Sequence, residues 1–166
     1  MGANIWRNSH NPYRRELYKL ADRIGMVMWD EHRDYGVFGP SSESAPFGVD
    51  GFSYLPGMHA MVKRDRNRPA IVMAGYCNEV ACGSGEDTTG LSFRNVSKAL
   101  APHLLTAANG DTDGIDVQGH SHSSNNTFIE FHQSNPGVPQ VLSECCSCTS
   151  QRLPASSRTL PDCIED

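Results

Sequence analysis

Two glutamates stand where an α/β scaffold most readily carries chemistry. Glu79 follows Asn78 at the end of the apolar run Ile71-Val72-Met73-Ala74-Gly75-Tyr76-Cys77, and Glu144 closes a second run, Val141-Leu142-Ser143. A buried strand that hands over to a loop at its C-terminal end is where α/β barrels place their reactive groups. Two carboxylates facing one pocket can break a glycosidic bond, one as acid/base and the other as nucleophile. Those opposed roles need two carboxyl groups whose acidities are held apart by burial and neighbouring charge. Without their flanking residues, the same two glutamates also read as plain surface acids at strand ends.

The elements that would position them alternate along the chain. Strand-like runs fall at Gly2 to Trp6, Met26 to Trp29, Ile71 to Tyr76, Leu104 to Ala108, Ile115 to Gly119 and Val138 to Ser143. Between them lie helical patterns. Leu17, Leu20, Ala21 and Ile24 share one face that ends at Gly25, Met58, Met61 and Val62 mark a short helix, and Phe93, Val96 and Leu100 mark another, with a weak one over Thr127 to His132. Alternation of this kind is the mark of parallel β/α units. The Gly-, Ser- and Pro-rich stretch from His32 to Tyr54 predicts a long loop over the mouth of the sheet, and Ala81 to Thr89 predicts a shorter one.

The residues around the glutamates are more specific. Asn4-Ile5-Trp6-Arg7-Asn8-Ser9-His10-Asn11-Pro12, followed by Leu17-Tyr18, Asp22, Gly25 and Met26-Val27-Met28-Trp29, resembles the first signature of glycoside hydrolase family 2, which contains β-galactosidases, β-glucuronidases and β-mannosidases. Asp65-Arg66-Asn67-Arg68-Pro69-Ala70 through Asn78-Glu79 resembles the second signature, and Glu144 lies where the family's nucleophile follows. Three positions depart from the family pattern. Ala74 replaces the usual aromatic residue before Asn-Glu, Asn11 replaces a tyrosine, and His120-Ser121-His122 replaces a Tyr-Asn-Tyr-like run.

The resemblance implies a (β/α)8 TIM barrel, here a partial barrel of about six β/α units corresponding to strands two to seven. A complete barrel takes ~250 residues, more than the 166 present. Residues 1–150 are expected to form the barrel segment, and 151–166 to be a tail outside the family pattern, possessing no apolar period. The implied activity is retaining hydrolysis of terminal β-linked sugars, β-galactosidase-like, with Glu79 as acid/base and Glu144 as nucleophile. Arg7 and His10 are implied to stand beside the nucleophile and the sugar. Asn78 is implied to hydrogen-bond the hydroxyl next to the anomeric carbon, where the contact tightens in the transition state. Glu31, next to Asp30, reads either as a substrate-binding carboxylate or as a loop anchor. His120 and His122 read as part of an altered sugar pocket, or with cysteines as metal ligands, and Trp6 and Trp29 are expected to pack the core.

Composition narrows the remaining classes. A hydrophobic content of 38% and a charged content of 20% describe an ordinary globular chain. The net charge of −5 argues against a general binder of phosphate backbones, so nucleic acid is not expected; acidity alone selects no other partner, and the carbohydrate partner is what the resemblance implies. No apolar run is long enough to span a bilayer, and Met1 leads into the first signature without a signal-like segment, which leaves the compartment open. No cofactor and no metal are expected for the two-carboxylate chemistry. Cys77, Cys145, Cys146 and Cys148 lie beside the two glutamates in no standard zinc spacing, and Cys82 and Cys163 add no pattern. They read as thiols, with disulfides and metal ligation as alternatives. Two rival readings follow: a catalytically silent barrel fragment, and a metal-binding module built on Cys145, Cys146, Cys148 and nearby histidines.

Overall fold

Six parallel strands, each joined to the next by an excursion outside the sheet, are arranged in chain order. The computed structural model describes residues 2–32, 55–79, 82, 89–110 and 112–144. The strands are β1 (Ile5–Arg7), β2 (Val27–Glu31), β3 (Ile71–Asn78), β4 (Leu105–Asn109), β5 (Val117–Ser121) and β6 (Gln140–Glu144). The helices are α1 (Arg15–Ile24), α2 (Leu55–Asp65), α3 (Thr89–Leu100) and α4 (Asn125–Ser134). The expected loop over 33–54, the tail 151–166 and Cys145, Cys146, Cys148 and Cys163 lie outside the described residues.

All five strand pairs are parallel, and their side chains sort to two faces. Met28, Ala74, Tyr76, Leu104 and Ala108 pack with Met58, Met61, Val62 and Phe93 from the helices, while Trp29, Met73, Ala107 and Val117 form a second cluster. Burial on both sides explains why the strands read as continuous apolar runs rather than as alternating ones. The order of six strands and their parallel pairing are those of a partial (β/α) barrel.

Gly75 and Gly119 are required by the second cluster. The indole of Trp29 lies against both, and a Cβ at Gly75 would overlap its Nε1. A Cβ at Gly119 would come within 2.7 Å of the far edge of the same ring. Two glycines on β3 and β5 thus make room for one tryptophan on β2, which is 2% exposed.

Several expectations need correction. Trp6 does not pack the core: it is 47% exposed on β1, an edge strand among the described residues, and meets Tyr13 edge-on. The inward face of α1 is Tyr18 and Ala21, whereas Leu20 and Ile24 point outward. Tyr18 turns inward because its hydroxyl has buried partners, donating to Asp30 Oδ1 at 2.5 Å and receiving the Asn8 amide at 2.8 Å. Cys77 and Cys82, read as thiols, are joined by a disulfide. Strands β3 to β6 run one or two residues beyond the expected ends, because Asn78, Asn109, Ser121 and Glu144 are polar yet still paired.

Candidate active site

The candidate site residues sit at the late strand ends, and two bulges aim them. In the pairing of β3 with β4, Tyr76 faces Ala108 and Asn78 faces Asn109, so Cys77 is an extra residue. In the pairing of β5 with β6, His120 faces Leu142 and Ser121 faces Glu144, so Ser143 is another. A bulge breaks the strict in-and-out alternation and re-aims the next side chain. Asn78 and Glu144, each just past a bulge, are turned toward the same mouth as a result.

The backbone beside these bulges adopts left-handed conformations that side chains rarely take. Cys77 has φ 60°, Glu79 φ 52° and His122 φ 47°. Each such residue costs roughly 1–3 kcal/mol and persists where its surroundings hold it. Here the holds are visible. Cys77 is tied to Cys82, the Glu79 amide donates to the Asn109 carbonyl, and the His122 amide donates to the Glu144 carbonyl at 2.9 Å.

Arg7, at the end of β1, is the hub of the site. Its Nε and Nη2 clasp Glu31 at 2.6 and 2.9 Å, its Nη1 donates to Glu144 Oε1 at 2.6 Å, and Nη2 also reaches Asn78 Oδ1 at 2.7 Å. The guanidinium lies 5.2 Å from the centre of the Trp29 ring. Such a fork of donors on a planar cation fixes two carboxylates at once, which a lysine could not do.

His10 joins the same cluster, its Nδ1 3.1 Å from Glu31 Oε1 and its Nε2 3.7 Å from Glu144 Oε1. The hydrogen bond to Glu31 holds its imidazole above the ordinary histidine value, against partial burial and the Arg7 charge. Glu31 is 2% exposed and fully engaged by Arg7 and His10. Its partners are two other side chains of the candidate site, which it holds in place. For Glu144, burial pushes the carboxyl up, but the hydrogen bond and charge of Arg7, with His10 and His122, more than offset this and leave it below the usual carboxylate value.

Glu79 lies opposite, 40% exposed, with Ser121 Oγ donating to its Oε1 at 2.6 Å. Ligand-type oxygens of Glu79 and Glu144 and a ring nitrogen of His122 all lie within 4.8 Å of one another. His122 Nε2 stands 3.5 Å from Glu79 Oε1 and 3.5 Å from Glu144 Oε2. His120 packs against Phe128, meets Phe131 edge-on and is bonded to Gln140, away from the two carboxylates, although it lines the same cavity as His122. A cavity of about 490 Å³ opens beside Glu79, with Asn109, Ser121, His122 and Phe131 in its wall.

All seven residues singled out in the sequence, Arg7, His10, Glu31, Asn78, Glu79, His122 and Glu144, therefore meet at one end of the sheet. Three supporting residues were not singled out for a role. Asn109 donates to Asn78 Oδ1 at 2.9 Å, Ser143 donates to Asn109 Oδ1 at 2.6 Å, and Ser121 holds Glu79. The signal for them was their place, since each is a polar residue at or next to the end of an apolar strand.

A parallel sheet with a cationic hub and paired carboxylates at the C-terminal ends of its strands is the arrangement of a partial (β/α) barrel with its candidate site on the face where such barrels carry theirs. The family described as "Glycosyl hydrolases family 2, TIM barrel domain" matches residues 1–103, and the chain belongs to that family. It is 41% identical over 120 residues to a protein named beta-glucuronidase from Felis catus, a match that covers 68% of this chain and 18% of that one. A beta-glucuronidase from Mus musculus is 41% identical over 80 residues, covering 48% of this chain and 12% of the relative. The chain thus spans less than a fifth of the length of these curated relatives. Among solved structures, a beta-glycosidase from Bacteroides vulgatus superposes with a TM-score of 0.68 at 25% identity, over 87% of this chain and 19% of the other. A GH2 beta-galacturonidase from Eisenbergiella tayi, bound to galacturonate, shares the fold with a TM-score of 0.72 at 18% identity, over 93% of this chain and 31% of the other.

Proposed function

We propose that residues 1–150 are the catalytic segment of a retaining β-glycosidase that acts on a β-linked uronic acid sugar. The observation that carries the reading is the pair Glu79 and Glu144, with carboxylate oxygens within 4.8 Å of each other. Retention calls for carboxyl groups only ~5–5.5 Å apart, whereas inversion needs room for a water between them.

In the proposed reaction an oxygen of Glu144 attacks the anomeric carbon as the glycosidic C–O bond breaks, and Glu79 passes its proton to the departing oxygen. A glycosyl ester on Glu144 results. Water then attacks the same carbon, gives its proton to Glu79, and releases Glu144 as a carboxylate. Arg7 suits this sequence because it keeps Glu144 ionised and aimed. Asn78 spends its Oδ1 on Arg7 and Asn109, so the group it offers a sugar hydroxyl is its Nδ2. His10 is the second candidate donor to the sugar, and Glu31 positions Arg7 and His10. The cavity on the Glu79 side suits the departing group.

The sugar rests on the relatives. The galactoside expected from the sequence gives way in this proposal to a uronide because the curated relatives above bear the name beta-glucuronidase. The test is a longer chain that supplies the remaining barrel strands, assayed on aryl β-glucuronide and aryl β-galactoside. Glucuronide hydrolysis abolished by Glu144→Gln is the expected result. Turnover unaffected by that substitution would remove the nucleophile, and a preference for the galactoside would overturn the uronide assignment.

A second reading, a silent barrel fragment, is favoured by one observation: the six described strands end at β1 and β6 with no ladder between those two. An open barrel leaves strand edges uncovered and holds its catalytic groups loosely. The 166-residue chain alone is expected to show little or no turnover, and robust activity by it would eliminate this reading.

A further inference from the structure

We infer that Glu79, His122 and Glu144 form a zinc-binding site lying across the catalytic pair. The site combines one imidazole nitrogen with two carboxylate oxygens, a donor set that suits zinc better than the all-oxygen sets preferred by magnesium or calcium. In a tetrahedral site with bonds of about 2.0–2.1 Å, neighbouring ligand atoms lie about 3.4 Å apart. His122 Nε2 is 3.5 Å from Glu79 Oε1 and 3.5 Å from Glu144 Oε2. The third edge, between the carboxylates, is at most 4.8 Å and closes with a small rotation of Glu79, whose side chain is 40% exposed.

The surroundings favour a dication. Arg7 occupies Glu144 Oε1 and leaves Oε2 facing His122. Two carboxylate oxygens and one imidazole nitrogen converge there, and Arg7 is engaged on the far side of Glu144. Water would complete a tetrahedral set as the fourth ligand. Bound zinc would hold the lone pairs with which Glu144 attacks and Glu79 accepts a proton, so zinc and sugar would exclude each other. Only this inhibitory consequence rests on the proposed glycosidase function; the binding itself does not.

The test uses the 166-residue chain with Cys145, Cys146, Cys148 and Cys163 replaced by serine, stripped with chelator and titrated with zinc in a calorimeter. One zinc per chain is expected, with magnesium binding far more weakly. His122→Asn keeps a residue tolerant of the left-handed backbone and removes the imidazole. It should weaken zinc binding about tenfold or more, and Glu144→Gln should do likewise. A measurement that needs no variant is cobalt loading of the unaltered chain. Visible absorption of tetrahedral cobalt without a thiolate charge-transfer band supports the site, and such a band would assign the metal to cysteines. Loss of all zinc on replacing the cysteines, or affinity unchanged in His122→Asn, would also overturn the inference.

Discussion

Arg7 donates to Glu144 across 2.6 Å although 137 residues separate them in the chain. The contact joins the first described strand to the last, and Glu31, from the neighbouring strand, braces the other side of the same guanidinium. A charge-assisted network of this kind fixes the rotamers of three strand-end side chains together.

Removing Arg7 should therefore act through Glu144. Its carboxyl lies below the usual value because Arg7 outweighs the effect of burial, and Arg7→Met should raise it. An ionised nucleophile is lost as pH falls through its pKa, so the acid limb of the kcat/KM profile should move to higher pH. At the optimum, kcat/KM of an active longer chain should fall about 100-fold or more. Arg7→Lys should recover little, since an ammonium cannot span both carboxylates. An unmoved acid limb would show that Arg7 does not set the state of Glu144.

For Glu79, the expected signature lies in the leaving group. Glu79→Ala should slow glycosylation most for poorly leaving alcohols and least for activated aryl groups, because only the former need the proton. Added azide should restore part of the second step by attacking without base assistance. Equal losses across a leaving-group series would assign Glu79 another role.

Glu31 offers a spectroscopic check on its contact with His10. Its hydrogen bond is the largest influence raising the His10 imidazole, so Glu31→Gln should lower the His10 titration midpoint. Proton NMR of the ring signals in the two proteins reads this directly. In Glu31→Gln the protonated form of His10 would be lost at lower pH, and an upward shift would contradict the assigned contact.

Gly75→Ala tests the seat of Trp29. The new methyl would overlap the indole, and overpacking of this kind costs about 1–3 kcal/mol. The melting temperature should fall, and tryptophan fluorescence should shift as the ring moves out of its buried position. Activity should drop too, because the same indole lies beneath Arg7.

Much of this was open to reading from residue order. Apolar runs set six strands because strands covered on both faces must be apolar throughout, and helical periods placed the intervening helices. The two signatures singled out Arg7, His10, Asn78 and Glu79, and Glu144 followed from its place after them, since residue type and spacing are what such patterns record. Other features were beyond reach. That Tyr18 rather than Leu20 faces inward depended on Asp30 and Asn8, which come close only in the folded chain. The exposure of Trp6 follows from β1 standing at an edge among the described strands, and a local pattern cannot show which strands have neighbours on both sides. Bulges at Cys77 and Ser143 come from the register between strands, and they decide where Asn78 and Glu144 point. Residue types thus determined which groups are present, whereas pairing across the sheet decided which of them meet, because hydrogen-bond register and side-chain contact exist only between segments far apart in the chain.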